Sequence, residues 1–254
     1  MPCALIQQVP TPPPVEKLQR AFRAVRFLTP SDAHTLSRDG YGILVKNLSI
    51  GDATALQHAL LAEGVETEAV KQHLLPELPV TKFVTRLDCR PEVLMIFDPL
   101  GRAFPLEWGY IMVIAVGSVR LNEFKRVLQA ETTVTTATSD GESASVTTNE
   151  ARRREQLSHH LVLEIILTRS VQRFSITADK FNFSYLGERR TKSLPTNFTL
   201  LVRDLIQFAP HATLNHGAQL LRDNAAEVWS YPSKNAFTEE IIWMLWQMKK
   251  NPGA

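Results

Sequence analysis

Three groups of side chains in this 254-residue chain have the types and spacing to do recognition chemistry. Arg152, Arg153 and Arg154 are consecutive cations that can grip phosphate or an acidic lipid, or simply solvate the start of a strand. Arg189, Arg190 and Lys192, in the run ERRTK, form the best candidate anion-contacting patch, although turn and surface charges of this kind are ordinary. Trp243 and Trp246 sit in a C-terminal segment that is apolar almost all round. Such a segment must be buried in its own domain or against a partner.

Reactive chemistry is harder to find. No GxSxG, HExxH, P-loop or strand-following GxGxxG pattern is present. His159 and His160 are adjacent, so on a strand their rings point to opposite faces and cannot share a metal. His211 and His216 are five apart, a poor spacing for one helical face. Cys89 lies between Asp88 and Arg90, where a cation can activate a thiol, but a bystander cysteine explains it as well. Asp32, beside His34, is explained by helix capping. No catalytic residue, metal ligand or cofactor is assigned.

The composition sets the frame for these groups. Basic residues number 28 and acidic residues 26, with a net charge of +2. A dedicated nucleic-acid binder usually carries a visibly positive field, so nucleic acid is not the expected partner. Two cysteines, Cys3 and Cys89, are too few for a disulfide scaffold and point to a reducing compartment. The start of the chain lacks the basic and apolar regions of a signal peptide. The longest apolar run, 108–116, falls well short of the roughly 20 residues that span a bilayer. A soluble, cytoplasmic protein is therefore expected.

The elements that would position the candidate groups begin after a tail at 1–15, whose proline run is expected to be extended and disordered. Residues 16–75 read as a small α/β unit. Two similar starts, TPSDAHTL at 29–36 and SIGDATAL at 49–56, each offer a hydroxyl followed three residues on by an acid, the pattern of a capped helix. Each follows a strand-like run, at 22–28 and 41–48. A third strand is expected at 65–70, after Gly64 as a helix stop.

Residues 76–210 read as an antiparallel β domain. Strands are expected at 80–87 and 93–97, with a turn at Asp98-Pro99-Leu100-Gly101. The segment 108–119 is apolar on both alternating faces, which fits a strand covered on both sides; a buried helix is the competing reading. Residues 131–150 are rich in Thr and Ser, and are expected to be a flexible insert within one domain. Strands resume at 161–167 and around Phe174 and Ile176. The alternation of Phe181, Phe183 and Tyr185 suggests one more. A helix is expected at 197–208. Residues 211–254 read as a helical tail, with Leu214, Leu221, Ala225 and Val228 at helical spacing, then a break at Tyr231-Pro232. In the last helix, Ser233 or Thr238 is the expected cap, and Glu239 and Glu240 are read as acids near the positive end.

Two resemblances follow from these runs. Ile43 to Val45, Ala53 to Leu61, Glu63-Gly64 and the strand at 65–70 resemble a small prokaryotic family of putative signal-transducing proteins. That implies a binding or regulatory role and supplies no site residues. The order of elements over 80–208 is similar to the pleckstrin-homology superfold, without a basic signature in its first hairpin: Lys82, Arg86 and Arg90 are scattered. Taken whole, the chain resembles bacterial families to which no function attaches.

The fold class expected is therefore α+β. The function expected is a non-catalytic binding or regulatory module with a protein partner, or self-association through the C-terminal helix. A phosphate- or nucleic-acid-contacting protein is the second reading. An enzyme whose site is assembled from distant residues is the third.

Overall fold

The computed structural model describes the backbone except at residues 26, 129–131, 138–142, 149–150, 169, 171, 226–227 and 252–254, and the side chains outside 121–157. The fold is α+β. The chain divides into two compact units, Met1–Val119 with His160–Ala254, and Arg120–His159.

The chain opens with β1 (Cys3–Gln7), α1 (Val15–Arg23), α2 (Pro30–Asp39), β2 (Ile43–Leu48), α3 (Ile50–Ala62) and β3 (Thr67–Lys71). The expected loose tail is thus corrected. All five residues of β1 are buried, and β1 is the central strand of a sheet ordered β2-β1-β3, antiparallel to both neighbours. The reason lies in its alternation. Cys3 and Leu5 join Leu18, Phe22, Leu56 and Leu60, whereas Ala4 and Ile6 join Val70, Trp243 and Trp246 on the other face. A strand apolar on both sides belongs in the middle.

The expected strand at 22–28 is also replaced. Leu18, Ala21, Phe22 and Val25 are all buried at helical spacing, and α1 ends at Arg23. Both capped starts form. The Thr29 hydroxyl accepts from Asp32 N at 3.3 Å, and the Ser49 hydroxyl accepts from Asp52 N at 3.1 Å.

Next come β4 (Val80–Phe83), β5 (Leu87–Cys89), β6 (Val93–Phe97) and β7 (Ala103–Glu107). The turn at 98–101 forms as its residues require. Asp98 Oδ1 accepts from Leu100 N and Arg102 N, each at 2.9 Å, and Gly101 adopts φ +80°. Strands β5, β6 and β7 make a separate antiparallel sheet.

Then follow β8 (Ile111–Leu128), β9 (Thr132–Ala137), β10 (Ser143–Thr148), β11 (Ala151–Leu167) and β12 (Gln172–Thr177). Segment 108–119 is a strand from Ile111 onward, and Ile111, Val113, Ile114, Ala115, Val116 and Val119 are all buried. The expected unstructured insert instead contains β9 and β10 paired antiparallel, with Val134 opposite Val146. Runs of β-branched Thr and Val favour strand.

The chain ends with α4 (Leu194–Phe208), β13 (Thr213–Leu214), α5 (His216–Arg222), β14 (Ser230–Tyr231) and α6 (Lys234–Lys250). Helix α4 extends the expected 197–208 helix back to Leu194. The long helix read over 214–228 is corrected: Leu214 lies in β13, and α5 stops at Arg222, before Asn224 at φ +65°. Phe181, Phe183 and Tyr185 are not on a strand either. Phe181 and Phe183 pack edge to face at 4.8 Å under the main core, and Tyr185 lies in a 3-10 turn.

The larger sheet has the order β13-β8-β11-β12-β4, with β14 also on β8, so strands on either side of the insert are neighbours. It is mixed rather than an antiparallel meander. Strands β11 and β12 are antiparallel, but β4 runs parallel to β12, and β13 and β14 run parallel to β8. Parallel neighbours need a crossover rather than a hairpin, and tight turns in a sequence do not reveal crossovers. Among the described residues no helix is long and apolar enough to cross a membrane.

Candidate functional site

The site starts from an interruption in a strand ladder. Strand β13 meets β8 at Val113 and Ile114, and β14 meets it at Ser118 and Val119. Helix α5 leaves the sheet between them, so on this edge of β8, away from β11, no strand among the described residues pairs with Val116. Asn215 fills the gap: its Oδ1 accepts from Val116 N at 2.8 Å and its Nδ2 donates to Val116 O at 3.0 Å. The same Oδ1 accepts from Ala218 N at 3.0 Å and so caps α5. Gly217 permits the close approach. A Cβ there would stand 2.1 Å from the Val116 carbonyl oxygen.

Asn215 leads to a buried carboxyl group. Its Nδ2 also faces the Tyr231 hydroxyl at 2.9 Å and Glu240 Oε2 at 3.4 Å. The Tyr231 hydroxyl donates to Glu240 Oε2, and His216 N donates to Oε1 at 3.2 Å. Burial raises the Glu240 pKa from the ordinary value, and the donors from Tyr231, His216 and Asn215 oppose that shift. Burial, reinforced by the Glu240 charge, pushes the Tyr231 and Tyr41 phenols upward.

Glu240 sits at the wall of a cavity of about 340 Å³. Tyr41, Trp229 and Trp243 supply aromatic walls, and residues 9–12 form one rim. Tyr41 stands 5.2 Å from Tyr231 between ring centroids, and Trp229 meets the His216 ring edge-on at 4.4 Å. Gln7 fixes the rim. It donates from Nε2 to Thr11 O at 2.8 Å and accepts from Gly42 N at 3.0 Å, while Trp243 Nε1 donates to Gln7 O at 2.7 Å. Pro10 and Pro12 therefore belong to a wall, and not to a solvated tail.

The buried acids differ in one respect. Glu164 pairs with Arg173 at 3.1 Å, Asp204 with Arg189 at 2.7 Å and Glu239 with Lys46 at 2.7 Å. Glu240, 2% exposed, has no Lys or Arg ion pair among the described residues.

Of the residues expected to carry function, Trp243 walls this cavity, whereas Trp246, Arg189, Arg190 and Lys192 are not among its lining residues. The side chains of Arg152, Arg153 and Arg154 lie outside the described residues. Arg189 is committed to a fork on Asp204, donating from Nη1 at 2.9 Å and from Nη2 at 2.7 Å, with the Tyr185 hydroxyl on the same carboxylate at 3.1 Å. Arg190 and Lys192 line a shallow depression that also contains Asp179. The patch is thus divided, and an acid faces what remains. Trp243 and Trp246 pack on Ala4, Ile6 and Val70. Cys3 and Cys89 are free thiols in different clusters, Cys3 with the core of the first sheet and Cys89 beside the main core. Burial raises the Cys89 pKa, with the Asp204 charge adding to it, opposite to activation. Among the described residues no group of three His, Cys, Asp or Glu side chains could hold a metal ion.

Sequence reasoning missed Asn215, Tyr41 and Trp229 and misread Glu240. Helix α6 is capped by Ser233, which accepts from Ala236 N at 3.1 Å, and Glu240 stands well past the first turn. The available signal was an acid on the apolar face of that helix. Compared with known proteins, the chain matches no family model, no curated protein and no solved structure.

Proposed function

We propose that this protein is a non-catalytic binding module, and that its ligand occupies the cavity walled by Tyr41, Trp229 and Trp243. The observation that carries this reading is the pairing of an aromatic cavity of about 340 Å³ with polar groups already locked in place. Small-ligand sites are concave and mostly apolar, with a few fixed polar groups setting orientation, and this volume lies in their range. Asn215 and Glu240 are held by backbone and by each other, which is how groups that position a ligand are prepared. Their donors and acceptors are occupied, and no pair at the wall has the form of a nucleophile beside its base.

A fragment screen read by tryptophan fluorescence and by ligand-observed NMR tests the reading. Hits should perturb Trp229 and Trp243 and weaken in Tyr41→Ala. A screen without hits, or hits indifferent to Tyr41→Ala in a protein that still folds, removes the cavity as the binding site.

A further inference from the structure

We infer that the cavity takes a cationic head group of the alkylated ammonium class, seated against Tyr41, Trp229 and Trp243 with its charge opposite Glu240. The inference rests on the cavity being the binding site proposed above.

Three observations lead to it. Among the described residues, three of the four buried acids carry a Lys or Arg partner, and Glu240 does not. A buried carboxylate is stable only when something answers its charge. Its protein contacts are three hydrogen-bond donors, the set that an ionised carboxylate accepts. Among the described residues no Lys or Arg lines the cavity, so an anionic ligand would meet a carboxylate and the negative faces of aromatic rings, with His216 the one basic side chain there, and a neutral one would bring Glu240 no countercharge.

The same geometry selects the kind of cation. Glu240 is nearly inaccessible and its oxygens already accept from Tyr231, Asn215 and His216. A ligand therefore feels it through charge rather than through a new hydrogen bond. A quaternary ammonium has no N–H groups to satisfy, and aromatic faces replace its hydration. A primary amine would lose water from three N–H groups while the Glu240 oxygens already hold three donors. The volume exceeds that of a trimethylammonium group, which leaves room for a short tail toward the rim at residues 9–12.

The test compares choline with its neutral carbon isostere, in which a tert-butyl group replaces trimethylammonium. Both are titrated by calorimetry and tryptophan fluorescence. Choline should bind about tenfold more tightly than the isostere, the scale of a desolvated cation–π contact. Glu240→Gln should bring the two affinities together. Trp229→Leu, at a position 37% exposed and so tolerant of change, should weaken choline more than the isostere. It also carries the test if Glu240→Gln does not fold. Equal binding of the two compounds overturns the inference and leaves the cavity reading standing. Failure of both compounds, where fragments from the screen do bind, has the same meaning. Failure of both compounds and of every fragment overturns the two readings together.

Discussion

The carboxamide of Asn215 stands in for a missing strand residue opposite Val116, accepting from its amide at 2.8 Å and donating to its carbonyl at 3.0 Å. One side chain thus continues the β8 edge between two short parallel strands, caps α5 and holds Tyr231 beside Glu240. Asn215→Ala should cost about 3–5 kcal/mol, from two buried backbone groups left unpaired plus one lost cap. Asn215→Asp should lose as much near neutral pH, because it removes the donor to Val116 O and adds a second carboxylate next to Glu240. Part of that loss should return on acidification. Urea unfolding at two pH values checks both variants.

The close approach of α5 to β8 sets a second expectation. Gly217→Ala would place a Cβ 2.1 Å from a backbone oxygen, which cannot swing away, so a loss of about 3 kcal/mol or more is expected. Gly42→Ala combines φ +83° with a contact of 2.4 Å to the Trp243 ring and should be comparably damaging. Gly101→Ala is the control. Its φ is +80° with nothing within 4 Å, so only the backbone cost of about 1 kcal/mol applies. Equal stabilities for the three variants would show that the tight contacts at Gly217 and Gly42 relax.

Little of this arrangement was legible in the sequence. Capping chemistry, the turn at Asp98 and the two-sided strand β8 could be read because each depends on residues within a few positions of one another. Strand β1 was missed because its partners, at 43–48 and 67–71, arrive much later in the chain. The site was missed for the same reason: Tyr41, Asn215 and Glu240 come from three separate stretches, and the topology of the larger sheet brings the last two together. Arg189 read as part of an anion-contacting patch because Asp204, its partner, stands 15 residues further on, inside α4.

Burial of Glu240 makes a signed prediction about pH. Its folded-state pKa is raised above the ordinary 4.5, so the folded state holds its proton to higher pH than the unfolded chain does. Its unfavourable contribution is therefore absent below 4.5, grows as pH rises toward the folded value and is complete above it. Among the described residues, Tyr231, Tyr41 and His216 are the other titratable groups facing it. Glu240→Gln should flatten the dependence of melting temperature on pH above 4.5. Glu164 is raised as well, mainly by burial, yet it pairs with Arg173. Glu164→Gln should therefore destabilise by about 3–5 kcal/mol, since it leaves a buried guanidinium unpaired. A larger loss in Glu240→Gln than in Glu164→Gln would contradict the view that only the former acid lacks a countercharge.

The cluster at Cys89 yields the last prediction. The thiol lies among Tyr185, Arg189 and Asp204, and burial with the Asp204 charge raises its pKa, so little thiolate exists near neutral pH. The thiolate is the reacting species, so a thiol reagent should modify the partly buried Cys89 slowly in the folded protein and faster as the fold opens. Cys3, buried in the central strand β1, should behave in the same way. Both labelling rates should rise with denaturant along the unfolding transition. Arg189→Met removes the fork on Asp204 but exposes no sulfur. Because the Arg189 side chain is 53% exposed, the loss should be about 1 kcal/mol rather than the figure for a fully buried pair. Labelling of Cys89 in that variant should accelerate only as far as the lost stability allows. Rapid labelling of Cys89 in the native wild-type protein would mean that the sulfur is reactive in place, and that the Tyr185–Asp204–Arg189 cluster has a chemical role beyond holding α4 to the turn before it.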